Sequence, residues 1–159
     1  MQQPKIMGIL NVTPDSFSDG GLYIDKERAI GRAVEMLDDG ADIIDIGGES
    51  TRPGADPVSV ADETDRVAPV IEGIKKQRQE CVISIDTTKY ETALAAIEAG
   101  ADIINDVSAL ETDGRLAALA ARHEKSLILM HMLGTPRTMQ KNPVYSDVVE
   151  EIFEYLQKR

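Results

Sequence analysis

Five short segments of the chain are built on adjoining or alternating apolar residues, and each is followed by a longer stretch with apolar residues at helical spacing. The segments are IMGIL (6–10), DIIDI (42–46), VISID (82–86), DIIND (102–106) and LILMH (127–131). Their shortness and β-branched content predict buried strands. The stretches near 26–39, 60–78, 89–99, 113–124 and 146–158 predict helices. In the first of these Ala29, Ile30, Ala33, Val34 and Leu37 share one face. Asp25 is expected to cap that helix, while Ser59 with Asp62, and Thr88 with Glu91, resemble capping boxes for the next two. Pro69 is expected to kink the second helix. No other domain boundary shows, so residues 1–159 predict a single domain.

One pattern occurs twice. GADIIDIG (40–47) returns as GADIINDV (100–107), each preceded by a helix-forming run that ends at the glycine. A glycine just past a helix is the expected stop. Five strand–helix pairs with near-continuous apolar strands predict a parallel sheet covered by helices. Two architectures fit: a doubly wound open sheet, or part of a (β/α)₈ barrel. A barrel of about 250 residues spends about 31 on each unit, close to the spacing here, so five units make an incomplete barrel. The glycine-rich dinucleotide fingerprint is missing after the first strand, which weakens the doubly wound alternative.

Composition narrows the function. The formal charge is −11, from 28 acidic and 17 basic residues. That argues against a nucleic-acid-binding surface, which needs a basic stripe. Cys81 is the one cysteine; it is expected to be a buried thiol, and no disulfide can form within the chain. The N-terminus lacks the features of a signal peptide, and no apolar run approaches membrane-spanning length. A soluble cytoplasmic protein is the expectation.

In both architectures function gathers at the C-terminal ends of the strands. Each predicted strand ends in polar groups: Asn11, the GGESTRPG loop (47–54), Asp86 with Thr87, Asn105 with Asp106, and His131. A bare scaffold needs no such convergence. Asp86 and Asn105 belong to neighbouring strands. A carboxylate accepts two hydrogen bonds in a row and an amide both donates and accepts, so the pair matches the edge of an amino-pyrimidinone. Asn11 offers a hard oxygen to a magnesium ion, which takes few protein ligands and fills its shell from water and phosphate. Arg52 offers a planar fork to a carboxylate or phosphate.

Two long loop segments, MGILNVTPDSFSDGG (7–21) and DIIDIGGESTRPGA (42–55), resemble the signature segments of the dihydropteroate synthase family. ISIDTTK (83–89), ADIINDVSA (101–109) and LILMHMLGTPRTMQ (127–140) resemble its following strands in the same order. The resemblance covers essentially the whole chain. It implies an α/β fold, a (β/α)₈ TIM barrel of the pterin-binding type, truncated to about five βα units and incomplete at the C-terminus. It implies condensation of 6-hydroxymethyl-7,8-dihydropterin diphosphate with p-aminobenzoate, a sulfonamide-sensitive step of folate synthesis. Mg²⁺ and an SN1-like route are implied with it.

Carried over residue by residue, the resemblance places Asp86, Asn105 and Met130 at the pterin and Asn11 at the metal and diphosphate. Thr51 contacts the pterin diphosphate, and Arg52 lies near diphosphate or p-aminobenzoate. Phe17 and Pro53 line the p-aminobenzoate pocket. Asp15 and Asp19 are carboxylates that order metal or face the developing cation. On this view Phe17 stands in a polar loop because the loop closes over an aromatic substrate. His131 is expected only to pack at the mouth.

A family barrel continues through further units carrying an Asp-Pro-Gly strand end, a pterin-contacting lysine and a late Arg/His pair. Lacking these, the 159-residue chain is expected to bind diphosphate weakly, to be inactive or nearly so, and to self-associate or pair with a complementary C-terminal piece. Two alternatives stand beside the synthase: a pterin-binding methyltransferase module, and a non-catalytic half-barrel or assembly partner.

Overall fold

The computed structural model describes residues 4–13, 21–50, 57–135, 138–140 and 142–159, with the side chains of 21–25 left aside. Five strand–helix units follow one another. They are β1 (Met7–Asn11), α1 (Gly21–Asp38), β2 (Ile43–Gly47), α2 (Val60–Gln77), β3 (Val82–Asp86), α3 (Tyr90–Ala99), β4 (Ile103–Asp106), α4 (Arg115–Arg122), β5 (Ser126–Leu129) and α5 (Val148–Gln157). All strand pairs are parallel, and the sheet order is the chain order, β1 to β5. A doubly wound sheet reverses its strand order at a switch point; this one does not, which decides for the barrel-type winding. Crossovers in unbroken order bring α1 to α4 against one face of the sheet, where their apolar residues join a single core.

The apolar runs hide an alternation. Leu10, Ile44, Ile46, Ile83, Ile85 and Ile104 point to the helices and are buried against Ala29, Ile30, Val67, Val70, Ile71, Ile74, Ala93 and Leu116. The alternate positions form the other face: Ile9 and Asn11, Asp45 and Gly47, Ser84 and Asp86, Ile103 and Asn105. That face is open toward the β1 edge, where Ile9 is 65% exposed.

The repeated GAD segment is a structural device at the bottom of the sheet. Gly40 and Gly100 take left-handed φ values of 106° and 117°, and each closes its helix with the same pair of backbone bonds. The aspartate then reaches sideways. Ile6 N–H donates to Asp42 Oδ2 at 2.7 Å, and Ile83 N–H donates to Asp102 Oδ2 at 3.0 Å. Asp42 and Asp102 donate their own N–H groups back to the carbonyls of Ile6 and Ile83. Each carboxylate thereby satisfies an amide at the start of the neighbouring strand. Lys75 adds an ion pair to Asp102 at 2.9 Å.

Several local expectations change. α1 begins at Gly21, so Asp25 lies inside the helix instead of capping it. Ser59 does cap α2, accepting from Asp62 N–H at 3.1 Å. The Asp62 carboxylate, however, takes the Ser59 hydroxyl at 2.6 Å, which makes half of a capping box. Thr88 and Glu91 form no box: the cap of α3 is Lys89, without a side-chain bond, and the hydroxyl bond of this turn is the one Thr87 Oγ1 accepts from Lys89 N–H. α2 runs unbroken across Pro69. Cys81 is half-buried, and burial pushes its thiol pKa up.

Candidate functional site

The register brings four strand ends into one row. Asn11 pairs with Gly47, Gly47 with Asp86, and Asp86 with Asn105. Parallel pairing in register points these residues to the same face. Gly47 leaves a gap between its neighbours: a Cβ there would lie 3.7 Å from both Asn11 Oδ1 and Asp86 Oδ2. A flat ligand can therefore approach the backbone between an amide and a carboxylate. Ile128 pairs with Asn105, and Met130, two residues on, continues the same face, half-buried.

Electrostatics single out Asp86. Its carboxyl is pushed up to about 7, first by burial and then by the neighbouring carboxylates of Asp45, Glu63, Asp106 and Glu49. No described side chain is hydrogen-bonded to it. An acid held near neutrality in a strand-end cleft, surrounded by like charge, is poised to receive hydrogen-bond donors from a ligand.

Not every polar strand end serves this row. Asp106 points toward the helices and is fully buried. Its carboxylate accepts from Ser108 N–H, Ser108 Oγ and Leu110 N–H at 2.7–2.8 Å, tying down the turn in which Ala109 and Leu110 take positive φ. Thr87 shapes the turn before α3. His131 packs its ring edge-on to Tyr155 at 4.8 Å and beside Tyr145 at 5.8 Å, the packing role expected of it.

The structure also brings in residues that sequence reasoning passed over. Asp45 is 6% exposed and lies one layer below the row; its Oδ2 accepts from Asn105 Nδ2 at 3.1 Å. The signal was present as the second aspartate of DIIDI, on the same alternation as Gly47. Behind the row, Lys89 pairs with Glu49 and, at 2.6 Å, with Glu63, which is 1% exposed. Thr92 donates to Glu63 at 3.3 Å and Arg66 donates to the Gly48 carbonyl at 2.8 Å. This network fixes the start of the loop after β2 against α2 and α3. Gly48 makes that approach possible, since a Cβ would meet Val67 at 2.8 Å and the Glu63 carbonyl at 3.2 Å.

The other expected site residues, Asp15, Phe17, Asp19, Thr51, Arg52 and Pro53, lie outside the described residues. Among the described residues no group of three or more His, Cys, Asp or Glu side chains could hold a metal ion. None of the described helices is long and apolar enough to cross a membrane.

A parallel sheet wound in chain order, with an acid–amide pair at the C-terminal ends of its strands, is the framework of the α/β-barrel enzymes. The chain belongs to the pterin binding enzyme family, whose model matches residues 7–159. Dihydropteroate synthase of Streptococcus pyogenes serotype M1 is 53% identical over 154 residues, which are 97% of this chain and 55% of the relative. Among solved structures, the Yersinia pestis dihydropteroate synthase in a sulfonamide drug complex superposes with a TM-score of 0.85 at 48% identity. It is covered to 56% by 98% of this chain. The Xanthomonas albilineans enzyme with 4-aminobenzoic acid gives a TM-score of 0.84 at 47% identity, covering 98% of this chain and 54% of that one. The chain thus spans about 55% of the length of the curated relatives it matches. The five strand–helix units are accordingly five units of a (β/α)₈ TIM barrel of the pterin-binding type.

Proposed function

We propose that these five units form one wall of a dihydropteroate synthase active site. Their part is in joining 6-hydroxymethyl-7,8-dihydropterin diphosphate to p-aminobenzoate, giving 7,8-dihydropteroate and diphosphate. The observation that carries this is the row Asn11–Gly47–Asp86–Asn105. In it, Asp86 accepts the adjacent N–H donors of the pterin edge, Asn105 pairs beside it, and Met130 packs on the ring. On the loops, Phe17 and Pro53 line the aminobenzoate side, Thr51 contacts the diphosphate end, Arg52 serves the diphosphate or the aminobenzoate, and Asp15 and Asp19 order the metal or face the methylene carbon. That carbon gains positive charge as the diphosphate leaves, and fixed carboxylates stabilise it before the aniline nitrogen attacks.

Asn11 fits a magnesium ion as one oxygen ligand among several from water and diphosphate, in keeping with the absence of a multi-carboxylate cluster among the described residues. When bound, the ion offsets the charge of the leaving diphosphate. The opposite wall comes from about three further βα units, on the same polypeptide or on a separate one. The open sheet, whose described edges are β1 and β5, is the surface they would complete. A cytoplasmic setting goes with this reading.

The test is a titration of the chain with 6-hydroxymethylpterin followed by calorimetry. Asp86→Ala is expected to weaken binding at least about tenfold, the loss of one charge-assisted hydrogen-bonded pair. Equal affinity in both proteins would mean that the half-site is not formed. A purified monomer turning over as fast as a complete barrel would refute the need for a second wall. A methyl transfer from a folate to a corrinoid would favour the methyltransferase reading instead.

A further inference from the structure

The Asn105 side chain has two ends, an oxygen that accepts and a nitrogen that donates. Which end faces the ligand decides what edge the site reads. Here the choice is made by a residue that does not reach the row. Asp45 Oδ2 lies 3.1 Å from Asn105 Nδ2. A carboxylate oxygen accepts, so the nitrogen end must face it; the flipped amide would set two oxygens together. Asp45 is 6% exposed and its Oδ1 has no described partner, so Asn105 makes the one described hydrogen bond to this carboxylate.

We propose that Asp45 is a positioning residue that pins the Asn105 amide with its oxygen presented beside Asp86, so that the site selects a ligand edge rich in N–H donors. With the nitrogen held below, the row offers the Asp86 carboxylate and Asn105 Oδ1 as neighbouring acceptors. An unpinned amide would accept the reversed edge, acceptor against donor, equally well. Only the identity of the ligand is taken from the function proposed above; the orientation is a property of the folded chain. Ser84 provides an internal comparison. It is the register partner of Asp45, is fully buried, and its Oγ likewise has no described partner.

The experiment uses the whole chain labelled with ¹⁵N, the Asn105 side-chain amide being assigned by its loss in Asn105→Asp. Its protons are expected to exchange with solvent at least about tenfold more slowly than those of the exposed Asn142. Asp45→Asn, whose amide can accept from Asn105 or donate to it and so no longer fixes its orientation, is expected to reduce that protection, and Ser84→Ala to leave it. Exchange as fast as at Asn142 overturns the proposal, and this comparison needs no variant to fold. Equal loss in Asp45→Asn and Ser84→Ala overturns it too, since the effect would be general loosening. In the second arm 6-hydroxymethylpterin is added. A shift of the Asn105 amide in the parent chain, with at least about tenfold weaker binding in Asp45→Asn, supports the selection role. Equal affinity in the two overturns that role. A protected amide that pterin does not shift supports the pinning and refutes the pterin reading.

Discussion

Replacing Asp86 by asparagine is expected to stabilise the fold above neutral pH. The carboxyl rises from an ordinary 3.8 to about 7 in the folded chain, because burial and four neighbouring carboxylates disfavour its charge. The folded state therefore holds a proton that the unfolded state releases between those two values. Stability must fall as pH rises through that window and stay low above it. A shift of about three units corresponds to about 4 kcal/mol, and partial solvent screening of a half-buried group reduces it to about 2–4 kcal/mol. Asparagine has nearly the same shape and carries no charge, so it escapes this cost at every pH. Urea unfolding of both proteins at about pH 4 and about pH 8 measures it. The advantage of Asp86→Asn over the parent chain should grow by about 2–4 kcal/mol between the two conditions. The other acids are present in both proteins, so the difference reports Asp86 together with its coupling to the four neighbouring carboxylates. An advantage that does not change with pH would refute the reasoning, and so would destabilisation at both. A residue whose removal stabilises the fold is kept for what it does to a ligand.

Three further outcomes follow from the same geometry. Asp106→Ala removes an acceptor of three hydrogen bonds from a fully buried turn and should cost about 3 kcal/mol in urea unfolding. Lys89→Met leaves the 1% exposed Glu63 without its cation and should cost about 3–5 kcal/mol, with most of the loss recovered in Lys89→Met/Glu63→Gln. Pterin binding should tighten as pH rises through about 7, because the donor edge needs Asp86 ionised, and calorimetry at several pH values should show that dependence vanish in Asp86→Asn.

The fold was legible because the core obeys a simple rule. Ile44, Ile46, Ile83, Ile85 and Ile104 alternate toward the helices, and helical periodicity in α1 and α2 supplies the surface that covers them. Caps were less legible because the start of a helix shifts easily by a residue: α3 is capped at Lys89, one residue later than expected, and the hydroxyl that bonds this turn belongs to Thr87 and not to Thr88. Asp86 and Asn105 could be paired from sequence, since consecutive strands in a parallel winding lie side by side. What sequence could not supply was the division of labour among acids. Asp42, Asp45, Asp86, Asp102 and Asp106 all sit within or beside apolar strands, and composition does not rank them.

Position along the strand ranks them. Asp42 and Asp102 precede β2 and β4 and bond the amides of neighbouring strand starts, so they belong to the stable end of the sheet. Asp106 faces the helices and is saturated by its own turn. Asp45 and Asp86 alone of the five face the open side, one beneath the other, and each retains acceptor capacity that no described residue uses. Two such acids at successive levels of one face are costly, and the Asp45 carboxylate adds to the cost of ionising Asp86. A protein that needed only the sheet would place apolar residues there, as it does at Ile9 and Ile103 on the same face. On the function proposed above, a bound partner rich in N–H donors takes up that capacity, and the fold carries the cost of the acids on the strength of the core behind them.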